Sequence, residues 1–287
     1  MSAGKYQYQD VILETKGKIG VLKGYPSSNH VEQQLNRPKS LNAFGGNLVL
    51  DIISALRELD EHPETVFTVL TGEGRFFSSG ADVKGRKPVE FSNPGEKKVH
   101  HMAALASAME MLRTMITHSK VLVLALNGPA VGGGAAWFPG VADLVLAAEG
   151  AWLQVPFSQL GLVPEFGSAT HFAQSMGVHR ANDFLMLGRK LTVEETEQWG
   201  LVNRVFPAKD FQADVMSFLE QQLEVNDGKS MMEAKRLSNS QISHSRLLAV
   251  YEATSALAER MVEDAPTKRF QKQKEMLDAK AKGRSKL

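Results

Sequence analysis

The chain has 287 residues, 43% of them hydrophobic and 23% charged, and 33 Lys and Arg against 32 Asp and Glu leave a formal net charge of +1. That is enough chain for one large domain with a real core, and the composition excludes wholesale disorder. Near-neutral charge removes the usual electrostatic argument for a nucleic-acid or membrane-surface partner. The absence of cysteine excludes disulfides, thiolate metal sites and a cysteine nucleophile, and fits a reducing compartment.

Val11-Ile12-Leu13 and Ile19-Gly20-Val21-Leu22 read as two short strands around a Lys16-Gly17-Lys18 turn. Gly24 to Asn36 is polar, with Pro26, two serines and two asparagines, and reads as a surface loop. Val49, Ile52, Ile53, Leu56 and Leu59 recur at helical spacing, which predicts a helix from about Phe44 to Leu59. Val66 to Leu70 is a buried-type strand, followed by a glycine-broken loop from Gly72 to Gly85 and a charged, turn-rich, mobile segment from Gly85 to Lys98. Met102, Leu105, Met109, Leu112 and Ile116 mark a long amphipathic helix whose methionines are core packing. Val121 to Leu126 and Leu144 to Ala147 are further strands. The first of these is the longest apolar run, cut short by Asn127-Gly128-Pro129 and far below the roughly 20 residues of a membrane span. Strands alternating with helices predict parallel pairing and an α/β class. After Pro207 the pattern turns helical: Phe211 to Leu223, Ser230 to Arg236 and Ser245 to Val262. Two regions are therefore expected, a core over 1–206 and a helical C-terminal region over 207–287.

Several motifs fall short. Gly228-Lys229-Ser230 lacks the earlier glycine of a phosphate loop, since Leu223 stands there. Gly132-Gly133-Gly134 lacks the third glycine of a dinucleotide fingerprint, where Trp137 stands. No serine sits in a nucleophile elbow, and the adjacent His100 and His101 point different ways on a helix and cannot chelate as a pair. No metal site is expected.

Three segments carry chemistry: Arg75-Phe76-Phe77-Ser78-Ser79-Gly80-Ala81-Asp82, Asn127-Gly128-Pro129-Ala130-Val131-Gly132-Gly133-Gly134-Ala135-Ala136, and Leu160-Gly161-Leu162-Val163-Pro164-Glu165-Phe166-Gly167. Each is expected where a strand gives way to a loop and then a helix. Glycine there lets backbone N–H groups approach a ligand, and two N–H groups from separate loops make an oxyanion hole. Taken singly, each loop reads first as a tight packing turn.

Together, and with Asn36-Arg37-Pro38-Lys39-Ser40-Leu41-Asn42-Ala43 and the Gly188 to Phe206 stretch, these segments resemble the crotonase (enoyl-CoA hydratase/isomerase) superfamily. The resemblance implies a spiral of ββα turns with a C-terminal helical trimerisation region, and a homotrimer or dimer of trimers. It also implies an acyl-CoA thioester substrate, with no cofactor, whose enolate is held by the backbone N–H groups of Ala81 and Gly133. Ser79, Gly80, Ala81, Asp82 and Val83 would line the CoA and acyl path with Gly133.

The family's hydratases use two glutamates, which would fall at Ala136 and Phe157, so water addition has no acid/base pair here. Glu165 matches the single catalytic glutamate of peroxisomal Δ3,Δ2-enoyl-CoA isomerases, which implies a proton shuttle converting 3-enoyl-CoA to 2-trans-enoyl-CoA in β-oxidation of unsaturated fatty acids. Leu162, Val163 and Phe166 are expected to shield its carboxylate from water. A carboxylate stabilising its own helix N-terminus is the competing reading of Glu165. Other readings of the whole chain are a dienoyl-CoA isomerase with Asp82 or Glu73 as second acid, a secondary-metabolite acyl-CoA enzyme, and a non-catalytic acyl-CoA-binding protein. Two departures from the family stand out: a long loop from Gly24 to Leu35, and a proline in Trp137-Phe138-Pro139-Gly140 where helix is expected. Ser285-Lys286-Leu287, after a basic tail from Lys280 to Arg284, is the tripeptide read by the peroxisomal import receptor and predicts a matrix location. Met1-Ser2-Ala3-Gly4-Lys5 carries no apolar signal core.

Overall fold

The computed structural model describes residues 6–24, 41–45, 47–81, 89–269, 271–272 and 275. The Gly24 to Leu35 loop beyond Gly24 itself, the Asn36 to Ser40 motif, Asp82, Val83 and the Lys280 to Leu287 tail lie outside the described residues.

A six-stranded sheet is built from β1 (Val11–Lys16), β2 (Ile19–Gly24), β3 (Phe67–Thr71), β4 (Val121–Leu126), β6 (Leu144–Ala148) and β9 (Arg204–Phe206). β1 and β2 form an antiparallel hairpin, and every later pair in the sheet is parallel. Helix α1 (Leu48–Glu61) connects β2 to β3 and α2 (Pro94–Thr117) connects β3 to β4, as parallel crossovers require. A smaller sheet joins β5 (Ala130–Val131), β7 (Trp152–Gln154) and β8 (Lys190–Thr192).

The strand period of two sorts side chains onto two cores. Leu122, Leu124 and Leu126 of β4 face the main core, with Leu56 of α1, Met111 and Leu112 of α2 and the aromatic residues of the loops. Val121, Val123 and Ala125 face the other side, where Phe211, Val215 and Leu219 of α7 (Phe211–Val225) cover them. Two further helices, α8 (Gly228–Ser240) and α9 (Ser243–Val262), complete the C-terminal part, and Val250 of α9 belongs to the main core. α9 lies along α2, tied by Lys97 to Asp264 at 2.6 Å and Lys98 to Glu259 at 2.9 Å.

Three expectations need correction. α1 begins at Leu48 rather than near Phe44, because the Phe44 N–H donates to the Gly80 carbonyl at 2.8 Å and commits that segment to a strand-like bridge. The expected mobile stretch to Lys98 contains the first turn of α2. Asn93 caps it by accepting from the Glu96 N–H at 3.0 Å, Pro94 sits at the favoured first position, and Glu96 returns a bond to Ser92 N–H at 2.8 Å. The Glu165 segment follows a single 3-10 turn, Ser158–Leu160, and not a strand directly. Gly228-Lys229-Ser230 is a helix start: Asp227 accepts from the Ser230 N–H at 2.8 Å.

Candidate functional site

The loops after β3 and β4 lie side by side. Asn127 accepts from the Gly72 N–H at 2.9 Å and donates to the Gly74 carbonyl at 2.8 Å. Further along, Phe77 N–H donates to Pro129 O at 3.0 Å and Val131 N–H to Ser78 O at 2.9 Å, pairing Ser78 with Ala130. The 41–44 segment closes over the other side: Ser78 Oγ donates to Asn42 O at 2.8 Å and Ser79 N–H to Leu41 O at 2.9 Å. Asn42 binds back to the carbonyls of Glu73 and Phe76 at 2.9 and 2.8 Å.

Glycine is required where these layers cross. Gly80 has φ of 89°, and a Cβ there would lie 2.7 Å from the Val131 carbonyl oxygen. Gly132 has φ of 56°, a conformation that costs an ordinary side chain. The crossing makes Ala81 and Gly133, the residues that follow, neighbours from different loops. Gly133 opens α3 (Gly133–Ala136), whose first N–H groups have no partner inside the helix. Among the described residues neither the Ala81 nor the Gly133 N–H makes a hydrogen bond. α3 lasts four residues and ends at Trp137, so Pro139 falls beyond the helix instead of breaking it.

Glu165 reaches the same place from the loop before α4 (Ser168–Met176). Phe166, at φ of 46°, turns the backbone sharply and buries its ring, an unusual conformation for a bulky residue that the surrounding packing must hold. Glu165 itself is half-buried, as are Leu162 and Val163. Its Oε2 accepts a hydrogen bond of 2.9 Å from the Trp137 indole Nε1–H. Trp137, 6% exposed, stacks on Phe44 at 4.5 Å and meets the edge of Phe166 at 5.0 Å. Its ring also lies against Gly133, where a Cβ would fall 2.7 Å from two indole carbons.

Of the expected site residues, Ser79, Gly80, Ala81, Gly133 and Glu165 lie on the three adjoining loops; Asp82 and Val83 lie outside the described residues. Ala136 and Phe157, where a hydratase pair would stand, are buried and apolar. The contacts of Trp137 with Glu165 and of Phe44 with Trp137 were not foreseen from the sequence. A usable signal existed for Trp137: it stands four residues after Gly133, so a helix starting at that glycine puts the indole on the same side. Among the described residues no group of three or more His, Asp or Glu is arranged to hold a metal ion. No described helix is long and apolar enough to cross a membrane.

Residues 27–283 match the enoyl-CoA hydratase/isomerase family. Curated relatives include a Delta(3,5)-Delta(2,4)-dienoyl-CoA isomerase of Pyricularia oryzae, 35% identical over 58% of this chain and 62% of that protein. They also include Enoyl-CoA delta isomerase 2 of Rattus norvegicus and Enoyl-CoA delta isomerase 3, peroxisomal, of Mus musculus, each 36% identical over 64% of this chain, and over 46% and 56% of theirs. The match thus spans about half the length of these relatives. In three dimensions the chain is similar to an enoyl-CoA hydratase/isomerase from Pseudoalteromonas atlantica (TM-score 0.76, 24% identity, 92% of this chain and 98% of that one). It is also similar to an enoyl-CoA hydratase from Bacillus halodurans (TM-score 0.75, 16% identity, 92% and 99%). These likenesses establish the crotonase-type α/β fold, and the match over 27–283 establishes the family. The chain belongs to the enoyl-CoA hydratase/isomerase family.

Proposed function

We propose that this protein shifts the double bond of 3-cis- or 3-trans-enoyl-CoA to give 2-trans-enoyl-CoA, with Glu165 as the only acid/base group. Glu165 removes a proton from C2, and through the conjugated O–C1–C2–C3–C4 system the negative charge is shared by the thioester oxygen, C2 and C4 as a dienolate. The N–H groups of Ala81 and Gly133 hold that oxygen, each donor worth ~3–4 kcal/mol in such sites. The same carboxyl returns the proton to C4, leaving a C2=C3 double bond with no water added and no change of oxidation state. The carrying observation is that the Glu165 carboxylate accepts from an indole N–H next to Gly133, while both hydratase positions are buried apolar side chains. Ser79, Gly80 and Gly133, with Asp82 and Val83, would border the CoA and acyl path. The test is the ultraviolet absorbance of the conjugated thioester on mixing with 3-enoyl-CoA. Glu165→Gln should lower the rate by about 10²–10⁴-fold; an undiminished rate would show that another group is the base.

A second reading has its own support: the Pyricularia oryzae relative is named a dienoyl-CoA isomerase. It predicts turnover of 3,5-dienoyl-CoA to the 2,4-isomer in preference to 3-enoyl-CoA, and requires a second acid such as Asp82 or Glu73. A peroxisomal role in β-oxidation of unsaturated acyl chains rests on Ser285-Lys286-Leu287 and on the name of the mouse relative. A fluorescent protein fused ahead of the chain should enter peroxisomes, and removal of Ser285-Lys286-Leu287 should leave it in the cytosol. Peroxisomal import without the tripeptide would sink its assigned role.

A further inference from the structure

Trp137 touches both halves of the proposed chemistry. Its Nε1–H donates to Glu165 Oε2 at 2.9 Å, and its six-membered ring lies against Gly133 at a distance no Cβ could share. Phe44 stacked on one face and Phe166 meeting it at 87° leave the indole little freedom to turn. A charged acceptor makes this hydrogen bond stronger than a neutral one, and it is directional. The carboxylate is therefore fixed relative to the oxyanion loop through one rigid aromatic body.

We propose that Trp137 is a positioning residue: it sets the attitude and distance of the Glu165 carboxylate with respect to the Gly133 N–H, so that one carboxyl can reach both C2 and C4 of the bound dienolate. The inference rests on the isomerase reading of Glu165. A suprafacial shuttle between two carbons demands a narrower placement than a single deprotonation, because the acid formed in the first step must stay aligned for the second. A phenyl ring at this position would keep most of the packing on Phe44, Phe166 and Gly133 and remove only the donor.

The test compares wild type, Trp137→Phe and Trp137→Leu on 3-enoyl-CoA, together with 15N-tryptophan spectra. Trp137→Phe should fold with the wild-type melting temperature to within a few degrees and show KM within about threefold, but lose about 10- to 100-fold in kcat. With C2-deuterated substrate in ordinary water, wild type should carry label to C4, and Trp137→Phe should carry less, since a loosely held carboxyl exchanges before it delivers. That partition would not move if the indole were packing alone. Independently of turnover, the Nε1–H resonance of Trp137, identified by its loss in Trp137→Phe, should shift in Glu165→Gln while those of Trp152 and Trp199 stay. If Trp137→Phe has wild-type kcat and label transfer, the positioning role is wrong and the isomerase reading stands. If only Trp137→Leu is impaired, the indole acts through volume, which also overturns the proposal. If wild type forms no conjugated product, the isomerase reading fails, and this inference falls with it.

Discussion

At Gly80 a single methyl group is enough to disturb the site. The residue sits at φ of 89° with the Val131 carbonyl 2.7 Å from where a Cβ would be, so Gly80→Ala must both adopt a costly backbone and push two loops apart. We expect a loss of about 2–4 kcal/mol in urea denaturation and a fall in activity greater than the stability loss explains. Unchanged stability would mean that the loops can separate freely. The three loops that carry Glu165, Ala81 and Gly133 were legible in the sequence because each is a run of glycine and small residues in a recognisable order. The hydrogen bond between Trp137 and Glu165 was not, since it joins residues 28 positions apart and no local pattern encodes it. The expected shielding of Glu165 named Leu162, Val163 and Phe166; the aromatic contact came from another loop.

Among the elements, α4 carries the Glu165 loop at one end and a buried histidine inside. His171 is fully buried, and burial, helped by the nearby Arg246 charge and opposed by the Arg246 backbone, pushes its pKa down to about 4. His118, at the end of α2, is likewise lowered to about 4 by burial and by Lys235, with Lys120 adding to it and Asp60 opposing. An unfolded histidine takes up its proton near pH 6.5, whereas these rings stay neutral in the fold until about pH 4. Stability is therefore fully present above about pH 6.5 and is lost progressively as pH falls towards 4. Denaturation midpoints measured from pH 7.5 to 5 should fall, and His171→Leu should flatten that slope; an unaltered slope would assign the acid sensitivity elsewhere. The termini of elements were harder to read than their existence. α1 starts late because Phe44 is held by Gly80, and α2 starts early because the Asn93-Pro94 cap outweighs the polar composition of its first turn.

Across the whole molecule, the parallel sheet was legible because strands alternate with helices along the chain, and β3, β4 and β6 are indeed buried on both faces, as a sheet covered on both sides requires. What covered the second face was not: the periodicity after Pro207 predicted helices but not that α7 would lie on the same sheet. The C-terminal apolar residues also divide in a way the sequence could not settle. Leu257 is fully buried, whereas Leu248 and Tyr251, three residues apart on α9, are 51% and 57% exposed. That exposed pair supports a proposed homotrimer or dimer of trimers. Sedimentation equilibrium should give three or six chain masses, reduced by Tyr251→Glu, and a single chain mass would rule the assembly out. α9 and the residues just beyond it also grip the loop that presents Glu165. Arg260 donates to Gly161 O at 3.2 Å, Arg269 to Gln159 O at 2.9 Å, and Val250 crowds Gly167. The proposed base is thus seated by a segment some hundred residues downstream of it, a contact that forms only after a long loop has closed. During refolding the sheet and its burial can be complete while the chain is still catalytically silent, so regained turnover should lag behind regained secondary structure by the time α9 takes to dock.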